Sequence, residues 1–378
     1  MSKERQPIAP EDAIALRQDS LEAYGFSPVM REALTARETT QEIPARVTAV
    51  HKERYELVCD RGECYAKLKS SVYFNGAEQP FPTTGDFVLI AYNETGDSVI
   101  TQTLPRRSYF ARRNPTLGQG EQAVAANFDS VFIMQSLNYD FNVKRLERYL
   151  ALAWQSGATP VVVLTKADLV ERFDDQLLRA SQTAAGTDVF AVSAKTGYGF
   201  DRLANYLAPG KTIVLLGSSG VGKSSFLNAL AGEEIMAVNT IRENDSKGRH
   251  TTSCRQLIRL ASGLMIIDTP GMRELGMLDS SAGLSETFGD VEGYLAQCRF
   301  SNCRHESEPG CAVQAAIARG ELSRARWESY QKLQRESSYS ASQTDYLRQK
   351  QQRFTEIAKL SKALQKSGGK RGGGDHDA

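Results

Sequence analysis

A glycine-rich motif at residues 217–224, GSSGVGKS, constrains this chain more than any other feature. It matches the phosphate-loop pattern G-x-x-x-x-G-K-[ST] at every fixed position. The preceding segment at 211–216, KTIVLL, predicts a buried strand, and 225–230 predicts the continuation of a helix. Backbone N–H groups of such a loop converge on phosphate oxygens, and the helix N-terminus adds partial positive charge. A strand-to-helix turn without a ligand is the alternative, which the agreement of pattern and context disfavours.

The motif also predicts roles for two side chains. We expect the Lys223 ammonium to reach the β- and γ-phosphates of a nucleotide and the Ser224 hydroxyl to bind Mg²⁺. The predicted phosphate site comprises Gly217, Ser218, Ser219, Gly220, Val221, Gly222, Lys223, Ser224 and Ser225.

Length and charge set broad limits on the rest of the chain. Its 378 residues are enough for two or three domains, and a net charge of +1 names no partner. No apolar run approaches membrane-spanning length, and the N-terminus lacks the apolar core of a signal peptide. We therefore expect a cytoplasmic protein without membrane contact. Three of its six cysteines cluster, which in a reducing compartment indicates a metal site rather than disulfides.

Short strands between turns follow a weakly patterned N-terminal extension. Residues 1–41 predict partial disorder, with a possible docking element at 24–26. Five strands between residues 42 and 105 predict a small Greek-key barrel of the oligonucleotide-binding (OB) type. Residues 106–113 read as a linker, either basic enough to contact RNA or simply solvated. Basic and aromatic residues of the barrel could form a nucleic-acid-binding face, and an ordinary barrel with solvated charges is an equal alternative. These residues are Arg46, Lys52, Arg54, Lys67, Lys69, Tyr65 and Tyr73.

From residue 129 the chain alternates apolar strands and helices, which predicts a doubly wound α/β domain. Its strands are expected at 131–134, 161–164, 189–192 and 213–216, with an antiparallel pair at 255–260 and 264–268.

Two of these strands run into base-recognition motifs. Thr165-Lys166-Ala167-Asp168 is close to the N-K-x-D pattern of GTPases, and Ser193-Ala194-Lys195 resembles the S-A-K loop that meets the guanine O6. A carboxylate at Asp168 can accept from both donors on the guanine edge, which adenine cannot match. Thr165 replaces the usual Asn, so one amide contact is expected to be missing.

Two further segments have the character of nucleotide switches. Residues 244–252 form a polar loop that ends in Thr251 and Thr252, and we favour Thr252 as the Mg²⁺ ligand. The strand at 264–268 ends in D-x-x-G, where Asp268 would hold Mg²⁺ through water and the Gly271 N–H would meet the γ-phosphate.

The base loops precede the phosphate loop and the switches, the reverse of the usual GTPase order. This permutation, with a barrel before it and a cysteine cluster after it, resembles the circularly permuted ribosome small-subunit-dependent GTPases of the RsgA type. The resemblance covers residues 45–322 and implies an OB barrel, a circularly permuted α/β P-loop GTPase domain and a zinc-binding, mostly helical C-terminal domain. We expect boundaries at 42–105, 106–280 and 281–335, followed by a basic helical tail at 336–378 that ends in disorder.

The cysteine cluster combines three thiols with one imidazole: Cys298, Cys303, His305 and Cys311. Such a set suits one structural Zn²⁺ and leaves no open position for a catalytic water. Unligated cysteines in a small helical domain are the alternative. Residues 324–371 carry an excess of eight positive charges, which is compatible with a polyanion contact, and a solvated helix is the alternative.

Taken with the resemblance, these features predict a GTP hydrolase, monomeric, whose GTP or GDP state controls its binding to the small (30S) ribosomal subunit and its rRNA late in maturation. An RNA-binding scaffold with structural GTP, a GTPase with a non-ribosomal partner and a P-loop enzyme acting on a metabolite remain alternatives. Met272 follows the D-x-x-G motif, where many GTPases have a glutamine that orients the attacking water. We predict that His250 or rRNA supplies this function.

Overall fold

The structure, a computed structural model, describes residues 21–35, 42–52, 54–73, 80–113, 121–235, 255–268 and 281–339. None of the helices in this part of the chain is long and apolar enough to cross a membrane.

Five strands form a closed barrel, as predicted. They follow the order β1–β2–β3–β5–β4, and pairing of β4 with β1 closes the circle. The β3–β5 pair is parallel and the other four pairs are antiparallel. Apolar side chains alternate inward and fill the barrel with Val47, Leu57, Ile90 and Ile100. The elements up to this point are α1 (Pro28–Thr35), β1 (Glu42–Val50), β2 (Tyr55–Cys59), β3 (Gly62–Leu68), α2 (Ser70–Tyr73), β4 (Phe87–Ala91) and β5 (Ser98–Thr103).

The predicted docking element does pack on the barrel. Leu21 and Phe26 are fully buried in a cluster with Phe87 and Leu89. The rings of Phe26 and Phe87 lie 5.3 Å apart. Burial of these apolar side chains attaches residues 21–35 to the outer face of the barrel wall.

The expected linker at 106–113 is partly wrong, because its second half is a strand. β6 (Tyr109–Arg113) pairs antiparallel with β7 (Glu121–Ala126). Arg106 forms a bidentate ion pair with the buried Asp86, at 2.7 and 2.9 Å. Its guanidinium is therefore already neutralised within the protein.

The α/β domain contains the six predicted strands, two of which form the predicted antiparallel pair. Four neighbouring pairs in the order β10–β9–β8–β11–β13 are parallel, and β12 joins antiparallel to β13. The central strands read as continuous apolar runs because both faces are covered. The elements are β8 (Ser130–Ser136), α3 (Val143–Gln155), β9 (Thr159–Thr165), α4 (Asp174–Thr183), β10 (Asp188–Ala191), β11 (Thr212–Gly217), α5 (Lys223–Ala231), β12 (Gln256–Arg259) and β13 (Met265–Asp268).

Strand pairing joins the barrel to this sheet. Ala49 of β1 pairs with Gln256 of β12, so eleven strands form one continuous sheet. Thr84 strengthens the junction by donating from its hydroxyl to the Arg255 carbonyl oxygen, 3.2 Å away.

The prediction that Arg46 belongs to a nucleic-acid-binding face is wrong, because Arg46 is buried at this junction. Its guanidinium donates to the carbonyl oxygens of Asn127 (2.9 Å) and Gly85 (3.3 Å) and to Thr212 Oγ1 (3.1 Å). It also donates to the Tyr24 carbonyl oxygen. Burial lowers the pKa of Arg46. Arg46 therefore connects the N-terminal segment, the barrel and the α/β sheet, and cannot contact RNA.

Other members of that predicted face are also engaged within the protein. Tyr73 is buried and its hydroxyl is hydrogen-bonded to Thr103 Oγ1 at 2.8 Å. Arg54 and Lys67 form ion pairs with Asp97 at 2.5 and 3.2 Å. The remaining members, Lys52, Tyr65 and Lys69, are exposed.

In the described part of the chain, four helices follow the sheet and share one apolar cluster with α3. They are α6 (Ser281–Thr287), α7 (Gly289–Leu295), α8 (Ala312–Arg319) and α9, residues 324–339. Gly283 permits the closest approach, since a Cβ there would lie 2.1 Å from the Ala151 carbonyl oxygen. Phe288, Val291 and Trp327 share one apolar cluster with α3.

A buried ion pair fixes α9 on α3. Arg326 Nη1 lies 3.0 Å from Oε1 of Glu147, a residue that is 2% exposed. The same guanidinium forms a bidentate pair with Asp290 and donates to the Thr287 carbonyl oxygen. Ser329 donates to the second carboxylate oxygen of Glu147. Three C-terminal helices are thus held to the α/β domain through one arginine.

Candidate nucleotide site and metal centre

The phosphate loop connects β11 to α5. β11 ends at Gly217 and α5 begins at Lys223, as the motif predicts. Gly222 has φ +104°, a backbone conformation that a side chain would strain. Lys223 folds back over its own loop and donates from Nζ to the carbonyl oxygens of Gly217 (2.8 Å) and Ser218 (2.7 Å). The ammonium is therefore held beside the backbone that would surround a phosphate.

The first base loop is bonded directly to the phosphate loop. Thr165, the last residue of β9, donates from Oγ1 to the Val221 carbonyl oxygen at 2.6 Å. Lys166 adopts φ +60° and donates from Nζ to the Gly220 carbonyl oxygen at 2.8 Å. The threonine thus makes a contact with the phosphate loop although the usual amide is missing.

The second base loop is bonded to the first. Ser193 is buried and donates from Oγ to Asp168 Oδ1 at 2.6 Å. Its Oγ also accepts from the Thr196 N–H at 3.2 Å, which closes the loop that carries Ala194 and Lys195. The structure therefore brings both base motifs and the phosphate loop together at one edge of the sheet.

An acidic residue that sequence reasoning missed also contacts the phosphate loop. Ser218 donates from Oγ to Asp140 Oδ2 at 2.5 Å. Oδ1 of Asp140 lies 2.8 Å from Nη2 of Arg145 in the first turn of α3. Asn142 caps this helix by accepting from the Arg145 N–H at 3.0 Å. Only the asparagine cap had a recognisable sequence signal, since Asp140 lies in a polar turn of no particular pattern.

The switch residues are described only in part. Parallel pairing of β11 with β13 brings Asp268 to the same sheet edge as the phosphate loop, but its side chain lies outside the description. Ser224 is half-buried in the first turn of α5, while Ser219 is exposed and Ser225 half-buried. The predicted residues His250, Thr251, Thr252, Gly271 and Met272 lie outside the described residues.

The predicted metal ligands converge on one point. The ligand atoms of Cys298, Cys303, His305 and Cys311 all lie within 4.8 Å of one another. His305 Nδ1 is 3.4 Å from Cys298 Sγ and 3.6 Å from Cys311 Sγ. In tetrahedral zinc sites with Zn–S of about 2.3 Å and Zn–N of about 2.0 Å, neighbouring ligand atoms lie about 3.5–3.8 Å apart. The donor set therefore fits a four-coordinate metal ion.

Neighbouring groups hold these ligands in place. His305 has φ +60°, and its carbonyl oxygen accepts from Gln314 Nε2 at 2.5 Å. Trp327 of α9 meets the imidazole edge-on, with the ring centroids 5.4 Å apart. The Glu308 carboxylate accepts hydrogen bonds from backbone N–H groups of the ligand loop, and the one from Arg304 has the largest effect. These bonds favour the charged carboxylate, so they lower the pKa of Glu308 to about 2. The loop is thus ordered from both sides.

The sheet order and the site together define a class of protein. Base loops that precede the phosphate loop, on a sheet with a barrel at one end, make this a circularly permuted GTPase.

Known proteins give the particular family. A family profile described as "RsgA GTPase" matches residues 103–278. A Listeria innocua protein named "Small ribosomal subunit biogenesis GTPase RsgA 1" is 45% identical over 341 residues, which cover 90% of this chain and 96% of the relative. A Vibrio parahaemolyticus protein, "Small ribosomal subunit biogenesis GTPase RsgA 2", is 38% identical and covers 92% of this chain and 94% of its own length. The chain belongs to the RsgA family of GTPases, and it is a GTP hydrolase.

Solved structures agree with the fold. The crystal structure of YjeQ from Thermotoga maritima is 28% identical and superposes with a TM-score of 0.58, covering 78% of this chain and 98% of that chain. YloQ, whose structure is titled "a circularly permuted GTPase", superposes with a TM-score of 0.54 over 80% of this chain and 96% of that chain, at 23% identity. This second likeness concerns the fold alone.

Proposed function

We propose that this GTPase binds the small ribosomal subunit and assists its late maturation, and that its GTP or GDP state controls its affinity for the subunit. The observation that supports the proposal is the hydrogen bonding of the two base loops and the phosphate loop to one another, through Thr165–Val221, Lys166–Gly220 and Asp168–Ser193. A single guanine-nucleotide site requires this arrangement of the three loops. The names of the relatives from Listeria and Vibrio supply the ribosomal partner. Such a function is carried out in the cytoplasm.

Guanine selection in this proposal depends on Asp168. A carboxylate accepts from the N1–H and the N2 amino group of guanine, while adenine presents a different donor pattern. Ser193 fixes the orientation of Asp168 by donating to Oδ1. Lys166, held by the Gly220 carbonyl oxygen, places its aliphatic stem beside the base. Ala194 and Lys195 contribute backbone N–H groups to the guanine O6.

Hydrolysis depends on positioning and charge stabilisation at the transferred phosphoryl group. Lys223 reaches the β- and γ-phosphates, and backbone N–H groups of the loop bind their oxygens. Ser224, Thr252 and Asp268 would hold Mg²⁺, which would supply positive charge to neutralise the charge that develops on the phosphate oxygens. The Gly271 N–H would donate to the γ-phosphate. His250 or rRNA would orient the attacking water. A switch ordered by the subunit therefore raises the rate of hydrolysis.

The Cys₃His set holds one structural Zn²⁺ in this proposal. Three thiolates and an imidazole fill a tetrahedral shell and leave no position for a catalytic water. Bound there, the ion would order the loop whose His305 packs against Trp327, and so would support the surface that the C-terminal helices present. Together with the exposed face of α9 and the basic tail, this region contacts rRNA.

Co-sedimentation with purified small subunits tests the proposal. Protein, subunits and either a GTP analogue or GDP are pelleted, and bound protein is quantified. We expect strong binding with the analogue, weak binding with GDP, and GTP hydrolysis that is slow alone and strongly accelerated by subunits. Equal pelleting in both nucleotide states with unaccelerated hydrolysis would contradict a ribosomal function.

A further inference from the structure

A cavity of about 570 Å³ lies between α3 and α9, and its lining includes none of the predicted nucleotide or metal ligands. Its floor includes the buried side chains of Tyr149 and Leu333. Its walls carry four cationic side chains: Lys144, Arg145 and Arg148 from α3 and Lys332 from α9. Neither the nucleotide chemistry nor the metal ligands explain this concentration of positive charge.

The positive charge is only partly compensated. Arg148 pairs with Glu336 at 2.6 Å and Arg145 pairs with Asp140 at 2.8 Å. For Lys144 and Lys332, no carboxylate oxygen lies within 4.0 Å in the described part of the chain. Within the same residues, the buried Nε of Arg145 has no hydrogen-bond partner. Glu328 also lines the cavity, so its four cations face three carboxylates, those of Asp140, Glu336 and Glu328, which leaves an excess of one positive charge. The cavity also retains one unused buried donor.

The start of α3 increases this positive potential. Lys144 and Arg145 lie in the first turn of a 13-residue helix that has no acidic residue there. Helix N-termini carry partial positive charge and favour acidic residues, so two cations at this position cost stability. Residues that break a local rule without compensation are expected at functional sites. An anion in the cavity would supply the missing compensation.

We propose that this cleft binds a phosphate group of the rRNA backbone. Arginine forks and lysine ammonium groups together are the usual protein partners of phosphate oxygens. RNA is favoured over a small phosphorylated molecule because basic residues continue beyond the cleft, at the exposed Arg324 and Arg335 of α9. Residues 340–378 add eight Lys or Arg against four Asp or Glu. Such an extended series of cations fits a repeating polyanion.

This inference rests on the proposed function, since the small subunit is the source of the RNA. It adds a route by which RNA contact reaches the nucleotide site. Arg145 lines the cleft and holds Asp140, and Asp140 accepts from Ser218 of the phosphate loop. A phosphate in the cleft competes with Asp140 for the Arg145 guanidinium, so it alters the support of the phosphate loop.

The test uses the full-length protein with Lys144→Gln and Lys332→Gln combined. Both lysines are exposed, so the variant is expected to melt like the wild type. Its affinity for small subunits, measured by co-sedimentation with a GTP analogue over a range of KCl concentrations, should fall about tenfold, and the salt slope should decrease by about 1. Subunit-stimulated hydrolysis should fall in parallel, with basal hydrolysis unchanged.

Two controls make the result specific. Arg202→Gln with Lys211→Gln removes the same charge from exposed positions elsewhere and should bind subunits like the wild type. Glu328→Gln removes a carboxylate from the cleft and should tighten binding. If the double lysine variant binds like the wild type, or if the control pair weakens binding equally, the cleft is not an RNA site.

The outcomes also separate this inference from the proposed function. If the wild type and the lysine variant bind subunits equally well, the assignment of the cleft as an RNA site is overturned and the proposed function is supported. Absence of subunit binding by the wild type would overturn both. Calorimetry with inorganic tripolyphosphate, after the nucleotide site has been saturated with GDP, tests whether the cleft binds a small anion instead of RNA. Tripolyphosphate binding that needs the two lysines, with subunit affinity independent of them, would identify a small-anion site and overturn the RNA assignment.

Discussion

The Thr165 hydroxyl lies 2.6 Å from the carbonyl oxygen of Val221 and joins the base loop to the phosphate loop. It also lies 3.3 Å from the Gln135 carbonyl oxygen, on the neighbouring strand β8. Val221 and Gln135 are buried as well as Thr165, so these carbonyl groups have little access to water. A single hydroxyl thus joins three segments that must keep a fixed spacing for one nucleotide to contact all of them.

Thr165→Val tests this relationship, because valine keeps the shape and removes the donor. Leaving a buried carbonyl without its partner costs about 1–3 kcal/mol. If that cost falls on the nucleotide site, GTP affinity should weaken by about 5- to 100-fold in a calorimetric titration. Thr165→Asn, which retains a donor, should lose much less. Equal GTP affinity in the valine variant and the wild type would show that the contact does not position the site.

Asp168→Asn should change which base is preferred. An amide at this position presents donors where guanine presents its own, while the C2 carbonyl of xanthine needs a donor. We expect GTP affinity to fall and xanthosine triphosphate to become the preferred ligand in competition titrations. Ser193→Ala is the matched control, since it removes only the hydroxyl that orients Asp168. That variant should weaken binding and keep the preference for guanine. Unchanged base preference in Asp168→Asn would mean that the base loop lies elsewhere.

Removal of a metal ligand should loosen the C-terminal helices. Cys303→Ser is expected to lose bound zinc, measured by atomic absorption, and to lose hydrogen-exchange protection in α8. Structural zinc contributes on the order of 10 kcal/mol to the folding of such segments. Cys64→Ser changes a thiol in the barrel that belongs to no metal cluster among the described residues, and it should retain zinc. Full zinc content in the Cys303 variant would contradict the proposed ligand set.

Arg326→Ala should destabilise the attachment of α9 to α3. The substitution leaves the Glu147 carboxylate buried without its cationic partner, which costs about 3–5 kcal/mol. Urea unfolding should show that loss, and amides of α9 should exchange faster. The double variant Arg326→Met with Glu147→Leu removes both charges and should recover much of the stability. A double variant as unstable as Arg326→Ala would mean that the remaining contacts of Arg326, to Asp290 and Thr287, hold the helix.

His250 and Met272 offer a direct comparison of candidate groups near the attacking water. Imidazole can donate and accept a hydrogen bond near neutral pH, whereas a thioether has no donor. We expect His250→Ala to keep nucleotide and subunit binding but to lose most subunit-stimulated hydrolysis, measured by phosphate release. Met272→Ala should lose far less. Normal stimulation of the histidine variant would assign the catalytic group to rRNA instead.

Local patterns were sufficient to predict most of the secondary structure. Alternating and continuous apolar runs predicted the five barrel strands and the six strands of the α/β sheet, because side-chain periodicity follows directly from strand geometry. The hairpin of β6 and β7 was missed, since basic residues in its first strand resembled a linker. Burial is decided by neighbours that lie far away in the chain, and Arg46 shows the consequence. It sits in an ordinary alternating strand, yet four distant segments cover it.

The sequence by itself determined the class of the protein, because short motifs with fixed spacing record the chemistry of phosphate, guanine and metal recognition. Residues 217–224, the two base loops and the Cys₃His set could each be read without coordinates. Only the tertiary structure decided how these parts are held together. The Asp140–Ser218 hydrogen bond, the Glu147–Arg326 pair and the cationic cleft between α3 and α9 join residues that are 78 to 188 positions apart. Such contacts depend on chain topology and side-chain packing, and these leave no periodic or spaced pattern in the sequence.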